Sequence, residues 1–166
     1  FKVADPSLAN TDMGPLISKK QLDSVQSYLT ETVAFTGSAP SGAGFWMAPT
    51  VLLPKDTKAK SWNEEIFGPV VSVLPFDDEA DAIRKANDTE FGLAAVVVSG
   101  KREHAAKITK NLVAGTIWVN CFFVRDLRAP FGGSKKSGIG RDGGTWSFDF
   151  YADVKNTVIA PNGWKE

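Results

Sequence analysis

Between residues 70 and 119, short apolar runs rich in β-branched residues alternate with segments whose apolar residues recur at helical spacing. The runs at 70–74, 94–98 and 116–119 have the length and composition of buried strands. Asp77 or Asp78 caps the first helical segment, and the second covers 101–112. Strands separated by helices of this length predict βαβ units. We therefore expect an α/β fold whose mostly parallel sheet is flanked by helices.

Elements are also predicted on either side of this alternation. Ser18, followed three residues later by Gln21, predicts a helix that begins with a capping box. Residues 121–149 form a long glycine-rich connection, and connections of this length in compact domains are usually functional or disordered. Phe, Trp and Arg residues within it favour a functional role. From Phe150 to Ile159 residue types alternate as in a strand, which predicts pairing with another subunit.

Composition excludes several classes of function. The formal net charge is zero, from 19 basic and 19 acidic side chains, so there is no bulk attraction for nucleic acid or an acidic membrane. The longest apolar stretches, such as 93–98, are too short to cross a bilayer. A single Cys and a single His provide no zinc site. One cysteine also suits a reducing compartment, so we expect no metal and a cytoplasmic location.

The start of the chain indicates a piece of a longer polypeptide. It opens on Phe1 and Val3, which are typical of the tail of a strand, and without an initiator Met. The alternative is a processed or trimmed chain. We expect the fragment interpretation to hold.

Residues 64–69, Glu-Glu-Ile-Phe-Gly-Pro, are the first candidate site. Glu65 and Phe67 are two residues apart, and in a strand such a pair points to the same side. The carboxylate could hold a ribose by hydrogen bonds while the ring rests against its neighbour. The alternative is a capping carboxylate and a core aromatic before a Gly-Pro turn.

Two arginines, Arg125 and Arg128, form the second candidate site. Guanidinium groups bind carboxylates bidentately and keep their charge when partly buried. Two of them near one pocket would suit an anionic substrate. The alternative is a solvated loop in which Asp126 pairs with one arginine.

Two other features are interpreted as structural. Residues 132–141 resemble a phosphate loop, but the Walker A spacing fails because Ile139 follows Gly138, so a tight turn is predicted. Cys121 follows an apolar run with no histidine near it in sequence, since His104 is the only one. A buried structural thiol is therefore predicted there rather than a nucleophile.

Three segments in order carry a family resemblance. Residues 64–69, then 115–120 (Gly-Thr-Ile-Trp-Val-Asn), then 130–141 (Pro-Phe-Gly-Gly-Ser-Lys-Lys-Ser-Gly-Ile-Gly-Arg), resemble the aldehyde dehydrogenase superfamily. The resemblance covers essentially the whole chain. It implies that 1–149 is part of an aldehyde dehydrogenase catalytic domain and that 150–166 is an oligomerisation strand and tail of a homo-oligomer.

The resemblance also implies roles for single residues. Glu65 resembles the acid that hydrogen-bonds the nicotinamide-side ribose of NAD, and Phe67 the aromatic beside it. Phe131 resembles a residue lining the aldehyde channel, and residues 120–130 the loop that sets substrate preference. Glu65, Phe67 and Phe131 are therefore expected to converge on one cleft. Asp142 stands where the family usually has a Glu implicated in proton relay.

The family mechanism uses a Cys thiolate as nucleophile and a Glu as base. In the family both precede the segment that this chain resembles, and Cys121 lies in a Val-Asn-Cys run that is not the nucleophile. The resemblance therefore implies an NAD-dependent dehydrogenase at full length. It also implies that this chain contains no catalytic residue and is inactive alone.

Residues 124–131 are similar to the loop of dehydrogenases that act on hydroxymuconic semialdehydes in aromatic catabolism. A substrate of the 5-carboxymethyl-2-hydroxymuconate semialdehyde type is expected, with Arg125 or Arg128 anchoring a carboxylate. The alternatives are 2-hydroxymuconic semialdehyde or another aldehyde. An alternative from another class is a non-catalytic assembly module.

Overall fold

The computed structural model describes residues 1–165, which form two compact units, 1–89 and 90–165. Glu166, the last residue of the predicted 150–166 tail, lies outside the described residues. The helices and strands of the first unit are α1 Lys19–Gln26, β1 Thr32–Thr36, β2 Thr50–Leu53, α2 Lys60–Asn63, β3 Val70–Ser72 and α3 Glu79–Asn87. Those of the second unit are β4 Phe91–Gly92, β5 Ala94–Val97, α4 Arg102–Thr109, β6 Thr116–Val119, β7 Ser134–Lys135 and α5 Trp146–Tyr151.

The first unit is organised around β2, the central strand of a three-stranded sheet. β1 pairs with β2 in antiparallel fashion, and β3 pairs with β2 in parallel. Leu52 of β2 and Val25 of α1 are fully buried and mark the core of this unit. Burying a side chain of this size contributes about 1.5–3 kcal/mol relative to its exposure.

Both helix starts that the sequence predicts in the first unit are present. The Ser18 hydroxyl accepts a hydrogen bond from the Gln21 N–H at 3.1 Å, and the Asp78 carboxylate accepts one from the Asp81 N–H at 2.8 Å. These side chains satisfy N–H groups that have no partner inside the helix. The predicted capping box is nevertheless incomplete, because the Gln21 side chain bonds to a distant carbonyl group instead of returning to Ser18.

The second unit contains a parallel strand pair connected by a helix. β5 and β6 pair in parallel with Ala94 opposite Thr116, and α4 lies between them in sequence. Ala105 of α4 and Trp118 of β6 are buried. This β5–α4–β6 arrangement is the βαβ unit that the sequence predicts.

The prediction of one mostly parallel sheet is wrong. In the described part of the chain, the strands form three small sheets, and two of the four strand pairings are antiparallel. The two antiparallel pairings involve strands, β1 and β7, that the apolar pattern of the sequence did not predict. β1 is exposed along its whole length, and β7 is a two-residue strand inside the glycine-rich connection that pairs with β4.

The predicted strand from Phe150 to Ile159 is also absent from this chain. Phe150 and Tyr151 end α5, and residues 152–159 are exposed and have no assigned secondary structure. A strand requires a neighbour to satisfy its backbone N–H and C=O groups, and none of the described residues pairs with this segment. Separately, no helix within residues 1–165 has both the length and the apolar character required to cross a bilayer.

Candidate functional site

Residues 64–69 form an irregular segment between α2 and β3 rather than a strand. The prediction that Glu65 and Phe67 point to one side of a strand is therefore wrong. Phe67 has a φ angle of 53°, which is uncommon for a residue other than glycine. This turn leaves the Phe67 ring 74% exposed, and Glu65 is exposed as well.

Helix α1 and Tyr28, which follows it in the chain, hold this segment through three contacts. The Gln21 carboxamide donates a hydrogen bond to the Phe67 carbonyl at 3.0 Å. The Tyr28 hydroxyl donates one to the Glu64 carboxylate at 2.9 Å, which raises the pKa of Tyr28. Gly68 packs against Val25 so closely that an added Cβ atom would lie 2.6 Å from a Val25 methyl group.

The two neighbouring glutamates consequently differ in what they can bind. Glu64 is engaged by Tyr28, and its carboxylate lies 3.9 Å from the Lys60 ammonium group. Among residues 1–165, Glu65 has no side-chain hydrogen bond or ion pair. An exposed, unpaired carboxylate can accept hydrogen bonds from a pair of hydroxyl groups. Glu65 is thus available to such a ligand, and the Phe67 ring in the same segment is exposed.

In the second unit, the loop at 121–130 begins after Asn120, a residue that is held in place by hydrogen bonds to Ser99. Asn120 has a φ angle of 53°, and its side chain accepts a hydrogen bond from the Ser99 N–H and donates one to the Ser99 carbonyl, both at 2.8 Å. Residues 121–130 that follow are all exposed. The prediction that Cys121 is a buried thiol is wrong, because Cys121 lies beyond the end of the strand.

Arg128 is paired within the loop. Its Nε and Nη2 atoms donate to the two Asp126 oxygens at 2.9 and 2.7 Å. These hydrogen bonds lower the pKa of the Asp126 carboxyl and raise the pKa of Arg128. The alternative in which Asp126 pairs with one arginine is thus present, and the arginine is Arg128.

Arg125 has a different environment. Its guanidinium carbon lies 4.0 Å from the centre of the Phe131 ring, a cation–π contact. No carboxylate among residues 1–165 forms an ion pair with it. Phe131 is held in turn by Asp142, since each backbone N–H donates to the other residue's carbonyl at 2.8 and 2.9 Å.

The glycine-rich segment at 132–141 is packed on its own backbone. Arg141 donates to the Gly133 carbonyl at 2.6 Å and to the Ser134 hydroxyl at 3.1 Å. A Cβ atom at Gly133 would lie 2.4 Å from the Ser137 carbonyl oxygen. These glycines permit close backbone packing, which supports the tight turn over the phosphate loop.

The structure places the predicted site residues in both units. Glu65 and Phe67 share one segment of the first unit, and Arg125 contacts Phe131 in the second. The convergence of Glu65, Phe67 and Phe131 on one cleft stays a prediction. The sequence reasoning missed the supporting roles of Gln21, Tyr28 and Trp118. Side chains separated by up to 46 residues from what they support have no local signal in one sequence.

Comparison with known proteins identifies the family. The sequence model of the Aldehyde dehydrogenase family matches residues 1–157. The chain belongs to the aldehyde dehydrogenase family.

Similar proteins refine this assignment. The chain is 42% identical to a 2-aminomuconic 6-semialdehyde dehydrogenase of Pseudomonas sp, and the match covers 96% of this chain and 35% of that relative. It is 38% identical to the 2-hydroxymuconic semialdehyde dehydrogenase of Pseudomonas putida, with the same two coverages. A Mycobacterium tuberculosis aldehyde dehydrogenase solved with NAD+ is 36% identical with a TM-score of 0.88, over 99% of this chain and 35% of that one. The chain therefore spans about a third of the length of the relatives it matches.

Proposed function

We propose that this chain is part of an NAD-dependent aldehyde dehydrogenase that oxidises a carboxylated semialdehyde to the corresponding acid. The observation that carries the proposal is that Arg125 has a fixed aromatic contact and no ion-pair partner among the described residues. Its guanidinium group is exposed, rests on the Phe131 ring and has no carboxylate partner among residues 1–165. A cation held in a fixed place but not neutralised is suited to bind a substrate carboxylate bidentately.

The substrate class follows from the loop and from the similar proteins. Relatives named for 2-aminomuconic and 2-hydroxymuconic semialdehydes align over 96% of the chain. We infer a muconic-type semialdehyde formed in aromatic catabolism. A 5-carboxymethyl-2-hydroxymuconate semialdehyde is one member of this class, and 2-hydroxymuconic semialdehyde is the alternative within it.

The cofactor proposal rests on Glu65 and Phe67. An unpaired carboxylate and an exposed ring two residues apart in one segment fit the nicotinamide-side ribose of NAD. The Mycobacterium tuberculosis enzyme, whose structure was solved in complex with NAD+, supports the same cofactor. When bound, NAD supplies the hydride acceptor that oxidation of an aldehyde requires. The contribution of this chain is to orient the cofactor and the substrate.

We propose that the catalytic nucleophile and base of the enzyme belong to polypeptide other than this chain, as the family resemblance implies. Cys121 lies on an exposed loop, and we do not assign it the role of nucleophile. Residues 153–159 form no backbone hydrogen bond with other described residues, and their apolar side chains, including Val154 and Val158, are exposed. We propose that they pair with another subunit of a homo-oligomer.

Of the two arginines, Arg125 is the better carboxylate anchor. Arg128 already donates two hydrogen bonds to Asp126, whose negative charge neutralises it and would oppose a substrate carboxylate bound beside it. Arg125 would not lose an ion pair. An exposed ion pair contributes little, but a bidentate pair that is partly desolvated by substrate contributes roughly 1.5–3 kcal/mol.

The first prediction concerns the full-length enzyme that contains this chain. Arg125→Ala should raise the KM for 2-hydroxymuconate semialdehyde by roughly tenfold to a hundredfold and change the KM for hexanal by less than about threefold. Arg128→Ala is the matched control and should affect both substrates alike. Initial rates with both aldehydes measure this. Equal losses on the charged and the neutral aldehyde with Arg125→Ala would contradict the proposed anchor.

A further inference from the structure

The loop that carries Arg125 needs a support, because its own side chains are exposed. Phe122, Phe123 and Val124 are 73%, 65% and 68% exposed. A segment with so little burial has low local stability and opens easily. The place of the Arg125 guanidinium must therefore be set by contacts from a more rigid element.

Trp118 of β6 provides such a contact. Its indole N–H donates a hydrogen bond to the Val124 carbonyl oxygen at 2.8 Å. Trp118 is only 7% exposed and lies in a strand that pairs with β5 along four residues. The Trp118 ring also packs against two aromatic rings of the loop. Its centre lies 5.5 Å from the centre of the Phe122 ring, in a T-shaped geometry, and 6.2 Å from the centre of the Phe123 ring. The donor is thus held rigidly while its acceptor is in the exposed loop.

The Val124 carbonyl belongs to the peptide group that leads directly into Arg125. Fixing this oxygen fixes the plane of that peptide and hence the direction in which the Arg125 side chain leaves the backbone. The guanidinium carbon then lies 4.0 Å from the centre of the Phe131 ring. Without the hydrogen bond from Trp118, this peptide plane would be free to rotate and Arg125 would sample other places.

We propose that Trp118 is a positioning residue that determines the preference for carboxylated aldehydes by holding Arg125 through the Val124 carbonyl. This inference rests on the proposed function, since it assumes that Arg125 binds the substrate carboxylate. Trp118 acts on selectivity and not on the chemical step. Its effect is therefore confined to substrates that bear a carboxylate.

The test uses the full-length enzyme with Trp118→Phe, which keeps an aromatic ring and removes the N–H donor. The KM for 2-hydroxymuconate semialdehyde should rise about fivefold, as for the loss of one hydrogen bond, while kcat and the kinetics with hexanal change less than about twofold. Trp46→Phe is the matched control. Its indole N–H also donates to a carbonyl at 2.8 Å, that of Ala43, and its loss should leave selectivity unchanged.

A double-mutant cycle separates this inference from the proposed function. In an Arg125→Ala background, Trp118→Phe should have no further effect on the preference for the charged aldehyde, because both changes remove the same contact. Additive effects would overturn the positioning role while leaving Arg125 as the anchor. No change of preference with Arg125→Ala alone would overturn both.

A second variant covers the case in which Trp118→Phe does not fold. Benzothienylalanine at position 118 has nearly the shape of tryptophan, but its sulfur carries no hydrogen to donate. It should reproduce the rise in KM for the charged aldehyde alone. A wild-type preference in this variant would overturn the role of the N–H donor.

Discussion

At the scale of single residues, two adjacent glutamates differ in their contacts. Glu64 is bound by Tyr28, and Glu65 is exposed and unpaired among residues 1–165. The sequence indicated a carboxylate and an aromatic at this place, but its reason, alternation along a strand, was wrong. The positive φ angle of Phe67 exposes the ring, and no local pattern in the sequence shows this angle.

The two glutamates give a paired prediction for cofactor binding. In the full-length enzyme, Glu65→Gln should weaken NAD binding about tenfold, because a neutral amide forms weaker hydrogen bonds with ribose hydroxyls than a carboxylate does. Glu64→Gln is the matched control and should leave NAD affinity within about twofold. Isothermal titration with NAD measures both. Equal weakening by the two substitutions would show that Glu65 has no specific role.

At the scale of elements, α1 positions the segment at 64–69. Its Val25 is fully buried against Gly68, and the side chains of its Gln21 and of Tyr28, which follows the helix, bond to the same segment. The sequence predicted the start of α1 from Ser18, since a cap is a local signal. It could not predict which distant segment α1 would contact, because tertiary contacts depend on the fold of the whole unit.

The contact between Gly68 and Val25 gives a prediction about stability. Gly68→Ala should destabilise the full-length enzyme by about 1–3 kcal/mol, because the added methyl group would overlap the Val25 side chain. Gly100→Ala is the matched control, since no atom lies within 4 Å of its added Cβ. Denaturant unfolding measures the difference.

The cause of this loss can be tested in the same experiment. Against a Val25→Ala background the clash is relieved, so Gly68→Ala should cost much less there. If Gly68→Ala lowered the free energy of unfolding by the same amount in that background, a contact other than the one with Val25 would explain the destabilisation.

The elements that the sequence predicted well are those with a strong periodic signal. β3, β5, β6 and α3 lie where the apolar patterns place them, within a few residues at their ends. The elements it missed are exposed or very short. β1 buries no residue and β4 and β7 contain two residues each, so neither burial nor length leaves a pattern to detect.

At the scale of the whole molecule, large apolar side chains remain exposed in both units. Phe35 and Val71 line an apolar groove of about 440 Å³ in the first unit, and Ile139 is 97% exposed in the second. Contiguous exposed apolar surface marks sites of association. The chain spans 35% of the relatives it matches, so we propose that further polypeptide of the enzyme covers these surfaces.

The most direct test is the reaction itself, followed in the full-length enzyme with NAD and 2-hydroxymuconate semialdehyde. We expect NADH and the dicarboxylic product to form in equal amounts, with a kcat/KM well above that for hexanal. We expect this preference to disappear when Arg125 is replaced by Ala. Failure to form NADH with any aldehyde, or an equal kcat/KM for the charged and the neutral aldehyde in the unaltered enzyme, would contradict the account.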